Sequence, residues 1–188
     1  MYSCLDLNNY FNNKGITSDY DREKGNLDPF IGLSLPISYI VNKLILEKDN
    51  ERIPLKFCLN CSLDNIELTG QEISFKEKIY SDIYIVGACN NGNFYNDIIV
   101  SNNNDEFEKK RFYLSDLFEE NPFNEEICVR SFPYSHTREG INKYFKPKLW
   151  LYNIKLDTPF SINKIKFSEN PFIHIFSITL KEGEVIEK

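Results

Sequence analysis

The apolar stretch at residues 172–180 constrains this chain most, because its β-branched and aromatic residues run almost without a polar break. It is short for a helix and far too short to span a membrane, and both of its faces are largely apolar. It therefore predicts a buried strand in the middle of a sheet that is covered on both sides. His174 lies on this strand, and we expect it to be a hydrogen-bonded core residue.

The rest of the chain is divided by turn residues into short apolar stretches, which is the pattern of an all-β protein. The 15 Phe and 11 Tyr support this prediction, since aromatic residues favour strands. About ten short strands at intervals of roughly 8 to 12 residues are typical of a β-sandwich or barrel. We predict one antiparallel β-sandwich domain over residues 1–188 with at most short helices, a lead segment at 1–14 and a charged tail at 181–188. The predicted strands are 32–36, 53–59, 65–68, 72–75, 82–88, 94–100, 107–114, 127–132, 148–156, 162–167 and 172–180.

Two Asn-rich turns predict two antiparallel hairpins. The sequence Asn-Asn-Gly-Asn at 90–93 suits the positive φ of a tight turn, so 82–88 is expected to pair with 94–100. A second turn predicts a hairpin that ends in 107–114, where three consecutive cations indicate an exposed edge strand protected by charge. The stretch 37–46 fits one face of a short helix and a strand equally well.

The charge and the cysteine content bear on partners and location. The net charge of -6 and the isoelectric point near 5.1 disfavour nucleic acid, whose binders usually carry a basic patch. We also expect no membrane partner, since no apolar run is long enough to span a bilayer. The five Cys and the lack of a secretory signal at 1–6 favour a reduced, cytoplasmic protein. An extracellular location follows instead if the sequence is part of a longer secreted chain.

Several short motifs occur in a defined order along most of the chain. They are Gly15-Ile16-Thr17 with Asp19, Gly25-Asn26-Leu27-Asp28, the strand ending at Pro36, Ile53-Pro54 with Phe57, Asp64-Asn65 before Gly70-Gln71, Gly87, Ser115-Asp116, and the run from His174 to Leu180. In this order they resemble the galactose-binding-like β-sandwich (jelly-roll) domains that are often attached to glycoside hydrolases and other bacterial carbohydrate-active proteins. The resemblance implies a jelly roll that binds a glycan with loops at one end, sometimes with a bracing calcium ion, and that has no enzymatic activity.

The loop at 19–28 is the candidate metal site. Asp19, Asp21, Asn26 and Asp28 carry the hard oxygen ligands that Ca²⁺ prefers, although their spacing does not match an EF-hand loop. The alternative is a solvated acidic loop whose carboxylates cap Asx turns.

The loop at 133–140 is the candidate ligand-binding surface, because it combines an aromatic ring, an imidazole and a guanidinium group. Tyr134 can pack on the C–H face of a sugar, while His136 and Arg138 can bond its hydroxyls. Asn91 in the first Asn-rich turn and Trp150, the only tryptophan, complete the predicted ligand-binding set. The alternatives are a surface loop with its aromatic residues tucked under it, and Trp150 as a core anchor.

Two further patterns suggest other chemistry. Cys58 and Cys61 have the C-x-x-C spacing of a zinc half-site or a redox pair, but no second cysteine pair and no βαβ setting accompany them. We therefore expect Cys58 to be a small buried hydrophobic residue in a strand. His136 could act as a general base if Glu139 or Asp116 oriented it.

Three functional hypotheses follow from these residues. The first is a non-catalytic carbohydrate-binding module that binds a glycan or another small polar ligand through loops at one end of the sandwich. The second is a structural or protein-interaction sandwich that has a protein partner or forms a homodimer. The third is a small hydrolase that uses His136.

Overall fold

The fold is an all-β, largely antiparallel sandwich, as the sequence predicts. This computed structural model describes residues 1–104 and 106–183, without the side chains at 158 and 159. No helix in that part of the chain is long and apolar enough to cross a membrane. The helical elements described are two three-residue 3-10 turns, Arg22–Lys24 and Ile37–Tyr39. The strands are β1 (Tyr2–Cys4), β2 (Ile16–Thr17), β3 (Leu35–Pro36), β4 (Lys43–Lys48), β5 (Glu51–Lys56), β6 (Ile66–Thr69), β7 (Glu72–Cys89), β8 (Phe94–Ser101), β9 (Phe107–Leu114), β10 (Ile127–Ser131), β11 (Ser135–Thr137), β12 (Gly140–Asn142), β13 (Lys148–Phe167) and β14 (Glu169–Glu182).

Two long strands, β7 and β13, lie next to each other in the main sheet. They pair from Trp150↔Gly87 to Lys166↔Glu72, with register shifts on β13 after Lys155 and after Ile162. The sequence predicted two short strands in place of each, because charged residues interrupt the apolar alternation. The hydrogen-bonded ladder nevertheless resumes after each irregularity, which is how bulges allow a long strand to bend without ending.

The closing apolar stretch lies inside the main sheet, as predicted. The strand order is β1-β14-β7-β13-β8-β9, so β14 has β1 on one side and β7 on the other. The side chains from Ile173 to Leu180 are buried. The hairpin of β8 and β9 is also confirmed, and β9 is an edge strand that carries Lys109 and Arg111 outward.

The first predicted hairpin is wrong, because β8 pairs with β9 and with the end of β13 and not with β7. The turn itself has the expected chemistry, with Asn91 at φ 63° and Gly92 at φ 125°. Asp116 anchors it by accepting the Gly92 N–H at 2.7 Å. The turn residues therefore reverse the chain locally. The strands before and after the turn, β7 and β8, do not pair because β13 lies between them in the sheet.

Other segments refine the predicted boundaries. The ambiguous stretch at 37–46 holds a 3-10 turn and then β4, which forms a hairpin with β5. The lead segment includes β1, which pairs with β14 through Tyr2↔Lys181. Of the predicted tail, Lys181 and Glu182 continue β14, while 184–188 lie outside the described residues.

Candidate functional site

Two Asx turns face each other across a cleft near the hairpin of β11 and β12. In the first, the Asp28 carboxylate accepts the backbone N–H groups of Phe30 at 2.8 Å and Ile31 at 3.4 Å. The turn closes at Gly32, whose φ is 65°, and a Cβ there would lie 2.5 Å from the side chain of Arg138. Glycine is therefore needed both for the backbone conformation and for the close approach of Arg138.

The second turn is built on Asn142. Its side-chain Oδ1 accepts the N–H groups of Tyr144 at 2.9 Å and Phe145 at 3.2 Å. Tyr144 is 95% exposed, and the ring of Phe145 stacks on Phe118 with centroids 4.8 Å apart. Each turn thus uses one polar side chain to hold an aromatic residue at the surface.

We call the space between these turns the loop-end cleft, and it has a volume of about 240 Å³. Phe30 is 86% exposed, and Arg138 and Glu139 beside it are also exposed. The cleft therefore offers aromatic rings together with a cation, a carboxylate and an amide. Its lining residues are Phe30, Ile31, Thr137, Arg138, Glu139, Asn142 and Phe145.

Backbone hydrogen bonds fix the cleft walls to each other. Ser34 and His136 exchange both N–H···O bonds at 3.0 Å, and Arg138 N–H donates to Ile31 O at 3.1 Å. The Arg138 guanidinium also donates to the carbonyl of Phe30 at 3.4 Å. The loop and the hairpin consequently form one unit, which holds the cleft open without a ligand.

A buried string of polar side chains lies beneath this unit, and we call it the His136 network. The hydroxyl of Thr17 lies 2.7 Å from Ser34 Oγ and 2.9 Å from His136 Nδ1. On the other side of the ring, Nε2 is 3.0 Å from an Asp19 carboxylate oxygen, but the alignment is not that of a hydrogen bond. The imidazole thereby links the loop that carries Asp19 to the hairpin beneath the cleft.

The burial of this network limits its chemistry. His136 is 1% exposed and Ser34 is fully buried, so neither group can reach a substrate. The partner of His136 is Asp19, in place of the Glu139 or Asp116 considered from the sequence. Asp116 instead accepts the N–H groups of Gly92 and Phe118.

The four candidate calcium ligands are engaged separately. Asp21 accepts the backbone N–H and the hydroxyl of Ser18, both at 2.6 Å, whereas Asp28 holds its own turn and Asp19 faces His136. Asn26 takes part through its backbone carbonyl, which accepts Asn13 Nδ2 at 3.0 Å. Over 1–104 and 106–183 there is no group of three His, Cys, Asp or Glu side chains that could hold a metal ion. The residues present therefore do not fit a calcium ion, since each carboxylate is engaged in a separate contact.

The predicted ligand-binding residues separate in the structure. Arg138 lines the loop-end cleft, but His136 lies buried below it, and half-buried Tyr134 packs edge-on against Tyr39 at 5.6 Å. The assignment of Trp150 to a binding surface is wrong, because the ring is 1% exposed and its Nε1–H donates to Asp116 O at 3.0 Å. Asn91 is exposed in the turn before β8 and does not line the cleft.

Sequence reasoning missed Phe30, which gives the cleft one of its aromatic rings. Phe30 and Phe145 each follow a turn-forming residue, Asp28 and Asn142 respectively, by two or three positions. An Asx residue followed by an aromatic residue at that distance could have indicated both. The two turns face each other because residues far apart in the chain pair with each other, and a local sequence pattern does not indicate such pairing.

A second buried polar cluster, the Asp64 network, lies in the scaffold. The Asp64 carboxylate accepts the N–H groups of Gly15 at 2.7 Å and Ile16 at 3.1 Å, and Lys14 Nζ lies 2.9 Å from it. Burial raises the pKa of Asp64, and the ammonium of Lys14 opposes that rise. Asn65 extends the network to His174 Nδ1 at 3.1 Å.

His174 is a core residue, as predicted. It is 1% exposed, and desolvation lowers its pKa from 6.5 to about 4. The ring is therefore neutral at pH 7. Its Nδ1 carries the proton, since the Oδ1 of Asn65 can only accept a hydrogen bond.

The C-x-x-C pair differs from the prediction, because Cys58 and Cys61 form a disulfide. β5 ends at Lys56, so Cys58 lies in the following turn, where it is half-buried and not part of a strand. Lys14 Nζ donates to the carbonyl of Cys61 at 3.0 Å. The disulfide turn thus forms part of the wall around the Asp64 network.

Comparison with known proteins gives one family. Residues 2–184 match the family model described as AziU2-like beta-sandwich domain. The match covers nearly the whole chain, and its description names the architecture that the strands form. No curated protein matches the chain.

Proposed function

The chain belongs to the AziU2-like beta-sandwich domain family, and within this fold we propose that it is a non-catalytic carbohydrate-binding module of the galactose-binding-like jelly-roll type. The glycan is held in the loop-end cleft. The observation that carries this proposal is the exposed Phe30 ring beside Arg138, Glu139 and Asn142 in one cleft. Calcium has no part in the proposal, because the acidic loop serves other contacts.

The lining of the cleft matches the two surfaces of a sugar ring. The C–H face of a pyranose packs on an aromatic ring, for which Phe30 and Phe145 are available at opposite walls. The hydroxyl groups need donors and acceptors, which the guanidinium of Arg138 and the carboxylate of Glu139 supply. The volume of about 240 Å³ suits a single sugar unit rather than a long chain.

The cleft walls are already fixed, which favours binding. The backbone bonds between the loop and the hairpin, and the His136 network below them, hold Arg138 and Phe30 in place. A ligand therefore binds without the entropic cost of ordering these loops. In this proposal the buried imidazole of His136 positions the loops. The hydrolase hypothesis needs this imidazole as an accessible general base, and it is buried.

A glycan array, followed by calorimetric titration of the best saccharide with a chelator present, tests the proposal. Phe30→Ala should weaken binding at least about tenfold, because one stacking aromatic contact is lost. Tyr20→Ala is the matched control, since Tyr20 is 96% exposed in the neighbouring loop but does not line the cleft. No saccharide binding on the array, or equal losses in both variants, would refute the assignment.

An interaction function is the second candidate, and a separate apolar groove favours it. This groove runs between the segment before β4 and β10, with Val41 at its mouth 55% exposed. Its lining residues are Tyr39, Ile40, Val41, Leu44, Phe57, Val129, Arg130 and Leu149. Light scattering distinguishes the candidates, because a homodimer through this groove gives twice the monomer mass and Val41→Asp restores the monomer.

A further inference from the structure

A second groove lies between β9 and β13, on a different part of the sandwich from the loop-end cleft. The two share no lining residue. We call it the β9–β13 groove, and its volume is about 350 Å³. Its lining residues are Lys48, Lys110, Arg111, Glu125, Tyr152, Asn153, Ile154 and Lys155.

Charged and aromatic side chains form part of the groove wall. Lys110 lies 2.6 Å from a carboxylate oxygen of Glu108 and also pairs with Asp157. The ring of Tyr152 meets the ring of Tyr113 with centroids 5.7 Å apart. These contacts hold Lys110 and Tyr152 in place along the groove.

The groove is basic although the chain as a whole has a net charge of -6. Four cations and one carboxylate line it. Asp97 neutralises Arg111, with Nε and Oδ1 at 2.8 Å, and the carboxylates of Glu108 and Asp157 neutralise Lys110. Among the described residues Lys48, Lys155 and Glu125 are in no ion pair, so the two lysines exceed the one unpaired carboxylate of the lining by a single positive charge.

Aromatic rings continue from the groove along the outer face of β8 and β9. Tyr95 lies 6.2 Å from Tyr113, which in turn contacts Tyr152 in the groove wall. The guanidinium of Arg111 stacks over the ring of Tyr95 at 4.1 Å, and Asp97 fixes its other edge. A fixed cation beside an aromatic wall suits a ring-shaped ligand that carries a negative group.

We propose that the β9–β13 groove binds an acidic sugar unit, whose carboxylate or sulfate group lies between Lys48 and Lys155 and whose ring packs against Tyr152. Carboxylate and sulfate share the chemistry of an oxyanion that accepts hydrogen bonds from ammonium groups. Nucleic acid fits less well, because a chain with a net charge of -6 repels a long phosphate backbone. The inference does not rest on the loop-end cleft, which holds its ligand through other residues.

Calorimetric titration of the full chain tests this inference with a galacturonate trisaccharide, a sulfated galactose trisaccharide and the neutral galactose trisaccharide. The two acidic sugars distinguish a carboxylate from a sulfate preference. Lys48→Gln combined with Lys155→Gln should weaken acidic-sugar binding by about tenfold or more, since two charged hydrogen bonds are lost. Lys166→Gln is the matched control, because Lys166 is exposed on the same strand but lies outside the groove.

The result expected is binding of at least one acidic sugar that weakens with added salt, is lost in the double variant, and persists in Lys166→Gln and in Phe30→Ala. Persistence in Phe30→Ala separates this groove from the loop-end cleft, so either assignment can fail alone. Equal binding of the neutral sugar by the Phe30→Ala variant, equal loss in the Lys166 control, or tighter binding of a short single-stranded DNA would overturn the inference.

Discussion

The two buried polar networks of this protein each contain one histidine, but their buried polar groups have different kinds of partner. In the Asp64 network a buried lysine and two backbone amides surround a fully buried carboxylate. In the His136 network a buried imidazole meets hydroxyl groups on one side and Asp19, whose side chain is 63% exposed, on the other. The first network is enclosed by the scaffold, whereas the second reaches the surface at the loops.

This difference indicates which network supports the scaffold and which positions the loops around the loop-end cleft. A buried charge without its partner is costly, so the scaffold depends on the Asp64 network. Removing a hydroxyl or imidazole group from the His136 network should lower the free energy of unfolding by less. These groups nevertheless determine the position of the loops around the cleft. Four predictions test this contrast, from the largest expected effect to the smallest.

The largest effect is expected for Asp64→Ala. The substitution leaves the Lys14 ammonium buried without its carboxylate and removes the acceptor of two backbone N–H groups. We expect the free energy of unfolding to fall by about 3 to 5 kcal/mol, measured by urea denaturation. Asp6→Ala is the control, since the exposed Asp6 pairs with Lys56 only at 4.0 Å and should cost little. Similar losses in both variants would contradict the scaffold role.

The second effect is a loss of stability in mild acid that arises from His174. The unfolded chain binds a proton as the pH falls below 6.5, whereas the buried ring resists it until about pH 4. Its contribution is therefore complete above pH 6.5 and is lost toward pH 4, by about 3 kcal/mol in total. Denaturation midpoints across this range measure the slope, which His174→Gln should largely remove. An NMR titration in which the His174 ring protonates near pH 6.5 would disprove the cause.

The third effect separates stability from binding. Thr17→Val keeps the shape of the side chain but removes the hydroxyl between Ser34 and His136. We expect a loss of about 1 to 2 kcal/mol in unfolding free energy and weaker glycan binding, because the loop loses its link to the hairpin. Thr69→Val, at an exposed position of β6, should change neither quantity. Unchanged glycan affinity in Thr17→Val would mean that the network has no role in positioning the cleft.

The smallest effect is expected for Asp19→Asn. Asp19 is largely exposed and meets His136 without hydrogen-bond alignment, so solvent screens most of its charge. The free energy of unfolding should change by less than about 1 kcal/mol, and the change should shrink further in salt. Thermal denaturation at low and high ionic strength measures it. A loss as large as that of Asp64→Ala would remove the distinction between the two networks.

The sequence predicted local features of the fold better than the pairing of its strands. The central position of β14 and the charged edge strand β9 followed from burial and charge patterns alone. The Asn-Gly turn at 90–93 was located correctly, but its flanking strands do not pair with each other. Turn chemistry acts over four residues, whereas the position of β13 depends on contacts far apart in the chain.

The candidate site was predicted only in part for the same reason. Arg138 lies in the expected loop and lines the cleft, because polar loop residues at a sandwich end are exposed by default. His136 lies two positions from the exposed Arg138, yet all three residues of β11 are buried, and its bridge to Ser34 holds it inside. Phe30 comes from a loop more than a hundred residues earlier, and only the tertiary structure brings it to Arg138.

The central position of β14 has a consequence for how the protein is made. This strand follows the other thirteen described strands in the sequence, yet it hydrogen-bonds to β1, β6 and β7. During synthesis the edge of β7 that pairs with β14 therefore stays without its partner until β14 leaves the ribosome. Pairing across such sequence distances makes folding slow, and an unpaired edge favours aggregation. A nascent chain stalled before residue 169 should accordingly depend on chaperones, whereas one released after residue 182 should not.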